Sequence, residues 1–348
     1  TDNVNLSDQH PEADLSMSPR LDLAANWVVT EQNTLSFSAG IGYTTFLQHQ
    51  ELNHLFITPD TDLAFNIYAG NFLINLHNRF QILQQASSQP QISQTSQYGY
   101  YQNSAGATVT WDLNKVILIF NYDHDIQAFF PDTFSFQDHS SELFQTRAAW
   151  LYNNLSQLGL ELGGGLTTYN QHPTNGSSLS DLKYYNFGPY FQSQITRHIN
   201  LKLSSGYTAY TLESPNSFGE SGTIAAYYVD FALTHQLNDK VKYQLFLGRQ
   251  IQLGVYSSTL DLMFARLNPI WRIIRNTDLS TPLYFEHAKQ AGTRGETVRR
   301  FGGGLQLTYQ MSSKLTTSAA YYYLSHDSDL SDQDYTQNRL VLDLQYRF

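Results

Sequence analysis

The sequence contains no cysteine and carries little charge. Charged side chains make up 14% of its 348 residues, whereas soluble domains carry roughly 25%. It also lacks any run of the about 20 consecutive apolar residues that a membrane-spanning helix needs, and its mean hydropathy is only -0.37. These shortages argue against an ordinary soluble domain and against a helical membrane protein. The absence of cysteine suits passage through an oxidising compartment.

The marks of nucleic-acid binding and of catalysis are also missing. A formal net charge of -10 argues against nucleic acid as a partner. No Gly-x-Ser-x-Gly elbow or phosphate loop occurs, and the eleven histidines are scattered. We therefore expect no enzyme, no cofactor and no metal. Residues 1–7 show neither the basic region nor the apolar core of a signal peptide, and we expect either that such a peptide has been removed or that the sequence starts after it.

Tyrosine (24), phenylalanine (21) and glycine (21) are abundant, and they occur in alternating segments. Leucine alternates strictly with small or polar residues through 158–163. The last eight residues, Val341 to Phe348, alternate in the same way and end on an aromatic residue. A period of two with one apolar face is typical of strands in a transmembrane β-barrel, because one face meets lipid and the other a wet lumen.

Short polar turns separate these segments. Each turn carries Asn, Asp, Gly or Ser, which tolerate turn geometry. Eight such turns occur, at residues 30–33, 69–71, 113–115, 153–156, 197–200, 237–240, 275–278 and 312–314. Longer polar stretches lie between them, at residues 84–103, 129–140, 170–180, 214–221 and 325–334. This succession indicates the periplasmic turns and the extracellular loops of an outer-membrane barrel.

The turns predict the strand count. Eight turns join sixteen strands, and one strand before them (Asp2–Ser7) and one after them (Tyr335–Phe348) raise the number to about eighteen. Sixteen is the alternative, since Asp2–Ser7 could be a partial strand or an ordered tail. We predict an all-β transmembrane antiparallel up-and-down β-barrel, a single domain over residues 1–348, in the bacterial outer membrane. Within it, Leu260–Arg275 changes phase near Phe264, which indicates a β-bulge.

Alternation assigns charged and aromatic side chains to the inward face. The lumen-lining candidates are Arg79, Arg147, Glu161, Lys202, Asp230, Lys242, Tyr68, Tyr190 and Tyr228. Other charged residues with this parity are Asp22, Asp123, Glu286, Arg300, Arg339, Asp343 and Arg347. Because charges of both signs occur, we expect little ion selectivity. The charges either pair within the wall or create a transverse field that orients a polar solute.

The tyrosines on the inward face also have alternative roles. They fill the lumen, contact sugar rings or contact a partner protein.

Outward aromatic residues cluster near the short-turn ends, where a membrane interface favours amphipathic rings. This group comprises Trp27, Trp111, Trp150 and Phe348. The alternation places Arg249 and Arg299 on the outward face, at the strand ends opposite the short turns. There they either contact phosphates of an outer-leaflet glycolipid or act as plain interfacial anchors. The expected partners are the lipid bilayer and outer-leaflet glycolipid, with a periplasmic or lumenal protein as a further candidate.

Three opening segments, Asp2–Ser7, Pro11–Leu15 and Ser18–Leu23, carry a family resemblance. They resemble the start of the β-barrel porin group of bacterial outer-membrane proteins. Barrels of that group often open with a Tyr-Asp-Asp-Asn-Val-like strand, and we expect residue 1 to lie partway into that strand. The resemblance implies an outer-membrane barrel without catalytic residues. Similar barrels occur in exopolysaccharide export systems, and others are treated as general pores.

Three functions stay open from the sequence. The first is an outer-membrane pore for passive or weakly selective passage of small polar solutes, narrowed by wall side chains or by the longest loop, Gln84–Asn103, which could fold inward or outward. The second is an exopolysaccharide export conduit that works with periplasmic partners. The third is a structural barrel that holds a partner protein.

Overall fold

The computed structural model describes residues 1–84, 86–170, 178–292 and 295–348. Most of this chain lies in antiparallel β-strands, with three short 3-10 turns at Gln50–Leu52, Ala86–Ser88 and Asp132–Gln137. In these four ranges, no helix has the length and apolar character needed to cross a membrane.

The described residues form twenty strands, which follow one another along the chain. They are β1 (Ser16–Met17), β2 (Arg20–Thr30), β3 (Asn33–Phe46), β4 (His54–Ile57), β5 (Asp62–Ala69), β6 (Phe72–Gln84), β7 (Gly99–Asp112), β8 (Val116–Phe130), β9 (His139–Asn153), β10 (Ser156–Tyr169), β11 (Leu182–Thr196), β12 (Ile199–Leu212), β13 (Thr223–Gln236), β14 (Val241–Gln252), β15 (Leu260–Ile274), β16 (Thr277–Ser280), β17 (Leu283–Gln290), β18 (Thr297–Gln310), β19 (Leu315–Ser328) and β20 (Tyr335–Tyr346).

In three places, two consecutive strands occupy one strand position in the sheet. We call each strand position a stave. β1 and β2 both pair with β3, β4 and β5 both lie between β3 and β6, and β16 and β17 both lie between β15 and β18. The described strands therefore form seventeen staves, each antiparallel to the next. The predicted fold class, an antiparallel up-and-down barrel, is confirmed, and the count is one stave below the predicted eighteen.

The missing stave is the predicted first strand, because Asp2–Ser7 is an ordered tail rather than a strand. The Asp2 backbone N–H donates to the Asn338 carbonyl oxygen (3.1 Å), and Asn3 Nδ2 donates to the Thr336 carbonyl oxygen (2.8 Å). These bonds hold the tail beside the first half of β20.

All eight predicted short turns separate consecutive strands where the sequence placed them. For example, β9 ends at Asn153 and β10 begins at Ser156. The longer connections lie at the opposite ends of the strands, because every strand is antiparallel to its neighbours. We call the two ends the short-turn rim and the long-loop rim. In an outer-membrane barrel these rims face the periplasm and the outside.

The strands carry an exposed apolar face and an inner face. In β10, Leu158, Leu160 and Leu162 are exposed, whereas Glu161 between them is buried. The solvent-accessible area of the protein is 19622 Å², well above the roughly 14,000 Å² expected of a compact protein of this mass. The excess is typical of a hollow barrel, in which both sides of the wall are accessible.

The largest apolar core lies at the long-loop rim, and we call it the mouth core. Its buried members are Leu6, Ala86, Ile92, Tyr98, Phe134, Phe136, Tyr169, Leu179, Leu182, Tyr210, Ile251, Val255, Leu324 and Tyr335. They come from the N-terminal segment, from four long connections and from staves as far apart in the sheet as β10 and β20. Such residues meet because the sheet curls on itself and its loops fold across the mouth.

The predicted β-bulge near Phe264 is wrong. β15 keeps one register with β14 from Leu260 to Trp271, and one register with β17 from Leu260 to Leu267. The apparent change of phase has another cause. Leu260 and Leu262 lie on the inner face, where they form a second apolar cluster with Ala288 and Val298. The inner wall near the long-loop rim is therefore apolar, and the hydrophobic pattern changes there although the backbone does not.

The start of the first stave is fastened at the long-loop rim. The Asp14 carboxylate accepts hydrogen bonds from the backbone N–H groups of Gln48 and His49 (3.2 and 2.9 Å) and lies 2.9 Å from His49 Nδ1. His49 Nε2 contacts Glu12. Burial would raise the pKa of Asp14, but these hydrogen bonds outweigh it and hold the pKa at about 2. Hydrogen bonds with Glu12 and Asp14 raise the pKa of His49.

We expect this contact to stabilise the fold in a pH-dependent way. Because the pKa of His49 is raised in the folded state, its stabilising contribution is complete below the ordinary value of 6.5 and is lost as pH rises through the folded value. His49→Gln should therefore lower the free energy of unfolding more at about pH 6 than at about pH 9. Urea unfolding in detergent micelles measures this difference. His54→Gln is the matched control, since the His54 ring bonds a backbone carbonyl instead of carboxylates; an equal loss for His49→Gln at both pH values would contradict the prediction.

Candidate functional site

The connection between β6 and β7 folds inward and crosses the mouth. We call residues Ala86–Tyr98 the strap. Ile92, at its middle, is 1% exposed and lies in the mouth core. His326 Nε2, on β19, lies 2.9 Å from the Pro90 carbonyl oxygen. The sequence left the direction of this loop open, and the structure turns it into the barrel.

Two other parts of the chain also hold the strap. They are the β14–β15 connection and residues 1–14, which we call the N-terminal segment. The Val255 backbone N–H donates to Gln91 Oε1 (2.6 Å), and Gln91 Nε2 donates to Ser257 Oγ (3.3 Å). The Gln94 backbone N–H donates to the Leu6 carbonyl oxygen (2.9 Å). The strap is therefore bonded to the β14–β15 connection and to the N-terminal segment, which lie on different sides of the mouth.

A buried charge cluster holds the start of the strap. Arg300, whose side chain is 3% exposed, donates to the carbonyl oxygens of Ser87 and Ser88, the latter at 3.0 Å. It also forms an ion pair with Glu286 (3.3 Å), and Glu286 accepts a hydrogen bond from Arg266 (2.8 Å). A buried guanidinium needs such acceptors, because it has lost its water. The ionic cluster thus couples the strap to the barrel wall.

Below the strap, four of the predicted lumen residues form one cluster. Arg147 Nη2 donates to Glu161 (2.9 Å), and the Tyr228 hydroxyl donates to the other oxygen of Glu161 (3.0 Å). The Arg147 guanidinium lies 4.6 Å from the centre of the Tyr190 ring. Tyr228 is on β13 and Glu161 is on β10, so their hydrogen bond crosses two intervening strands. Only the concave side of the wall allows such a contact.

A cavity of about 300 Å³ lies beside this cluster. Its lining is polar and includes Gln145, Arg147, Glu161, Asn186, Asp230 and Gln250. These side chains offer donors, acceptors and charges of both signs, which suit water and small polar solutes. The described residues contain no group of three or more His, Cys, Asp or Glu that could hold a metal ion.

Glycines make room for the inward rings. The Tyr228 ring crosses β12 and β11 at Gly206 and Gly188. A Cβ atom on Gly206 would lie 2.7 Å from the ring, and one on Gly188 would lie 2.7 Å from the hydroxyl oxygen. Both distances are shorter than a van der Waals contact, so any larger residue would push Tyr228 away from Glu161.

This arrangement recurs around the wall as a glycine–aromatic–arginine stack, in which a ring packs on a cross-strand glycine and a guanidinium lies over the ring. The four stacks are Gly159–Tyr190–Arg147, Gly248–Phe264–Arg266, Gly302–Tyr284–Arg300 and Gly304–Tyr322–Arg339. Cation–π attraction stabilises such contacts. Tyr190 is only 5% exposed as a result, so its ring has no free face for a sugar.

The other predicted lumen residues lie apart from the cluster. Arg79 is 4.0 Å from Asp62. Tyr68 is exposed near the short-turn rim. Lys202, Asp230 and Lys242 are exposed and make no ion pair with any described residue. The lumen below the mouth therefore carries free charges of both signs as well as paired ones.

The predicted interface aromatics lie next to short turns. Trp27 is 71% exposed and Phe348 is 92% exposed. Trp150 is also exposed, and Trp111 stacks on Phe72 with ring centres 5.2 Å apart.

At the long-loop rim, the two arginines with an outward prediction, Arg249 and Arg299, differ in their surroundings. Arg249 is bonded to Asp261 (2.8 and 3.1 Å) and lies over Tyr227, so its charge is already neutralised, whereas Arg299 is exposed.

Sequence reasoning missed three members of these sites. Arg266 and Trp271 lie on β15, where the assumed change of phase hid their faces. His77 lies 2.7 Å from Asp123 on the inner face. His77 alternates along β6 with Asn75 and Arg79, so the sequence could have predicted that its side chain faces inward. The strap contacts of Arg300 had no signal in the sequence, because they depend on a loop that lies 212 and 213 residues away along the chain.

Comparison with known proteins identifies the fold. No family model and no curated protein matches this chain. Among solved structures, it is similar to the FrpB iron transporter from Neisseria meningitidis (F5-1 variant), with 8% identity, a TM-score of 0.58 and coverage of 96% of this chain and 67% of that one. It is also similar to FpvAI in its complex with pyocin S2 (11%, TM-score 0.53, 96% and 60%).

A third similar structure is the alcaligin outer-membrane receptor FauA from Bordetella pertussis (11%, TM-score 0.51, 96% and 64%). The chain thus spans between 60% and 67% of the length of these three solved chains. Identities this low indicate a shared fold. The shared fold is that of bacterial outer-membrane barrels, and it is not specifically that of a porin.

We expect Gly206 to be essential for the Tyr228–Glu161 contact. In Gly206→Ala, the added methyl group collides with the Tyr228 ring and with backbone atoms of β11, so the free energy of unfolding should fall by about 1–3 kcal/mol. Urea unfolding in detergent micelles measures this loss. Gly164→Ala is the matched control, because a Cβ there meets only the Tyr184 carbonyl oxygen, at 3.2 Å. Equal stability of the two variants would contradict the role given to Gly206.

Proposed function

We propose that this protein is an outer-membrane transport barrel that rests with its outer mouth closed and conducts when the strap moves. One observation carries the proposal: the strap crosses the mouth and is bonded to β18, to β19 and to the β14–β15 connection. A passive pore needs an open path. Here that path is interrupted by the mouth core, which excludes hydrated solutes because it is apolar.

The lumen beneath the mouth supports a transport role. It holds a polar cavity and charges of both signs, so it can solvate a small polar solute without selecting strongly by charge. The similar structures are also in line with transport, since one is described as an iron transporter and another as an alcaligin outer-membrane receptor.

The export of a polysaccharide receives less support from the geometry. A sugar path needs a row of aromatic faces open to the lumen, but Tyr190 and Tyr210 are buried. A barrel that holds a partner protein receives support from one feature, the wide accessible lumen below the mouth. That partner would enter from the short-turn rim, because the long-loop rim is filled by the strap and the other loops.

We expect Arg300→Gln to raise the open fraction of the channel. The substitution removes the charge-assisted hydrogen bonds to the strap, which are worth about 1.5–3 kcal/mol each, so the open population should increase at least about tenfold. Single-channel recording of the purified protein in a planar bilayer measures this. The unaltered protein should show rare openings, and a variant without residues 88–96 should conduct steadily.

Arg299→Gln is the matched control, because Arg299 is the next residue along β18 and its side chain is exposed. Slower migration of each variant after heating, in detergent gels, verifies that the barrel has folded. Steady, large conductance of the unaltered protein would refute the closed mouth. If the variant without residues 88–96 still shows no conductance, the result would instead favour a lumen that is filled by a partner.

A further inference from the structure

A cavity of about 100 Å³ lies at the mouth, between the strap and the wall. Gln89 and Tyr98 of the strap line it on one side. Leu253, Gly254 and Val255 of the β14–β15 connection line it on another, and the Val255 backbone N–H is the group that Gln91 of the strap holds. The rest of the lining comes from β7 to β10 and from the turn before β9. We call this space the strap cavity.

Aromatic rings form the apolar part of the strap cavity. The Phe129 ring centre lies 5.7 Å from that of Tyr98 and 5.6 Å from that of Tyr100, and the Tyr169 ring lies across from them in the lining. No lysine, arginine, aspartate or glutamate lines the cavity. A charged molecule would lose its hydration there without gaining an ion pair, whereas ring faces favour contact with a flat molecule. The lining therefore suits a planar, uncharged ligand.

Gln137 supplies a hydrogen-bond donor to this lining. Its side chain is 2% exposed. The Tyr98 hydroxyl donates to Gln137 Oε1 (3.2 Å), which fixes the orientation of the amide. The amide nitrogen Nε2 is buried and has no hydrogen-bond partner among the described residues. A buried donor without a partner is unfavourable, so an acceptor atom in the cavity would satisfy a group that the chain leaves unpaired.

His139 supplies a hydrogen-bond acceptor two residues further along the chain. It is 5% exposed, and its ring lies beside those of Phe129 and Tyr169, with centres 6.1 and 5.3 Å apart. Nδ1 donates to the Gln137 carbonyl oxygen (2.7 Å), because a carbonyl oxygen can only accept. Burial favours the neutral ring, in which the other nitrogen, Nε2, is then an acceptor. No described residue donates a hydrogen bond to it.

We propose that the strap cavity is a binding site for a small, planar, uncharged amide or lactam. The ligand's carbonyl oxygen accepts from Gln137 Nε2, and its N–H donates to His139 Nε2. An apolar cavity of about 150 Å³ holds benzene, so the smaller strap cavity limits the ligand to about six non-hydrogen atoms.

The ligand holds the mouth closed, a consequence that rests on the proposed function. It contacts the strap and the wall together, so it binds the closed mouth and loses its site when the strap moves. A ligand that binds one of two states shifts the population toward that state. At a concentration about 100 times its dissociation constant, the open fraction should fall about 100-fold.

Saturation-transfer NMR on the full chain in detergent micelles tests the site, with 2-pyrrolidinone as the probe. The unaltered protein should transfer saturation to it. Gln137→Leu removes the donor and Leu253→Trp fills the cavity, so both variants should lose the signal. Gln157→Leu is the matched control, because Gln157 lies on β10 near the short-turn rim, far from the cavity, and this variant should keep the signal. Slower migration after heating verifies that each variant has folded.

Two analogues of the measurement separate the parts of the proposal. γ-Butyrolactone has the size and the carbonyl group of 2-pyrrolidinone but no N–H, so it should bind at least about fivefold more weakly. In planar bilayers, 2-pyrrolidinone should lower the open fraction of Arg300→Gln, and γ-butyrolactone should lower it less at the same concentration. If Arg300→Gln stays closed, the moving strap and this coupling fail together, while the NMR result still decides the binding site.

Three results would overturn the inference. Equal saturation transfer in the unaltered protein and in folded Gln137→Leu and Leu253→Trp would mean that the probe lies in the micelle or elsewhere on the barrel. Equal affinity for the lactam and the lactone would refute His139 as the acceptor. Binding that leaves the open fraction of Arg300→Gln unchanged, or raises it, would refute the closing effect.

Discussion

Backbone hydrogen bonding without help from solvent is the constraint on which the rest of this structure depends. In a bilayer, each strand needs a neighbour on both sides, and this requirement curls the sheet, sets its antiparallel order and leaves the apolar faces outward. Among the described residues, β2 pairs with β3 alone and β20 pairs with β19 alone, so the free edges of these two strands are the least satisfied part of the wall. The bonds of Thr1 to Asp14 and of Asp2 to Asn338 place the N-terminal segment between the two edges at the long-loop rim.

Inside the wall, two different environments follow one another along the barrel axis. The middle is polar, and its arginines lie over rings that pack on glycine, as in the Gly159–Tyr190–Arg147 stack. The long-loop rim is apolar, with the strap and the mouth core. Arg300 belongs to both, because it lies over Tyr284 and also donates to the strap. Arg300 thus links the inner wall to the strap by direct contacts.

Much of the architecture could be predicted because it is encoded locally. A turn needs only Asn, Asp, Gly or Ser at a few positions, and a wall strand needs only alternation. The sequence therefore predicts all eight turns and the inward direction of Arg147, Glu161 and Tyr228. Prediction failed where a neighbour distant in sequence changes the environment. Leu260 and Leu262 face inward because they pack on β17 and β18, and this burial imitated a β-bulge.

The sequence by itself determined the class of the protein: a lipid-facing barrel with paired polar and apolar faces, short turns at one rim and longer loops at the other. Only the tertiary structure decided that the strap crosses the mouth and that Tyr228 reaches Glu161 across two strands. The physical reason is the range of the interactions. Alternation acts between residues two positions apart, whereas the strap and the N-terminal tail are held by contacts between parts of the chain that lie hundreds of residues apart, such as Ser88 with Arg300 and Asp2 with Asn338.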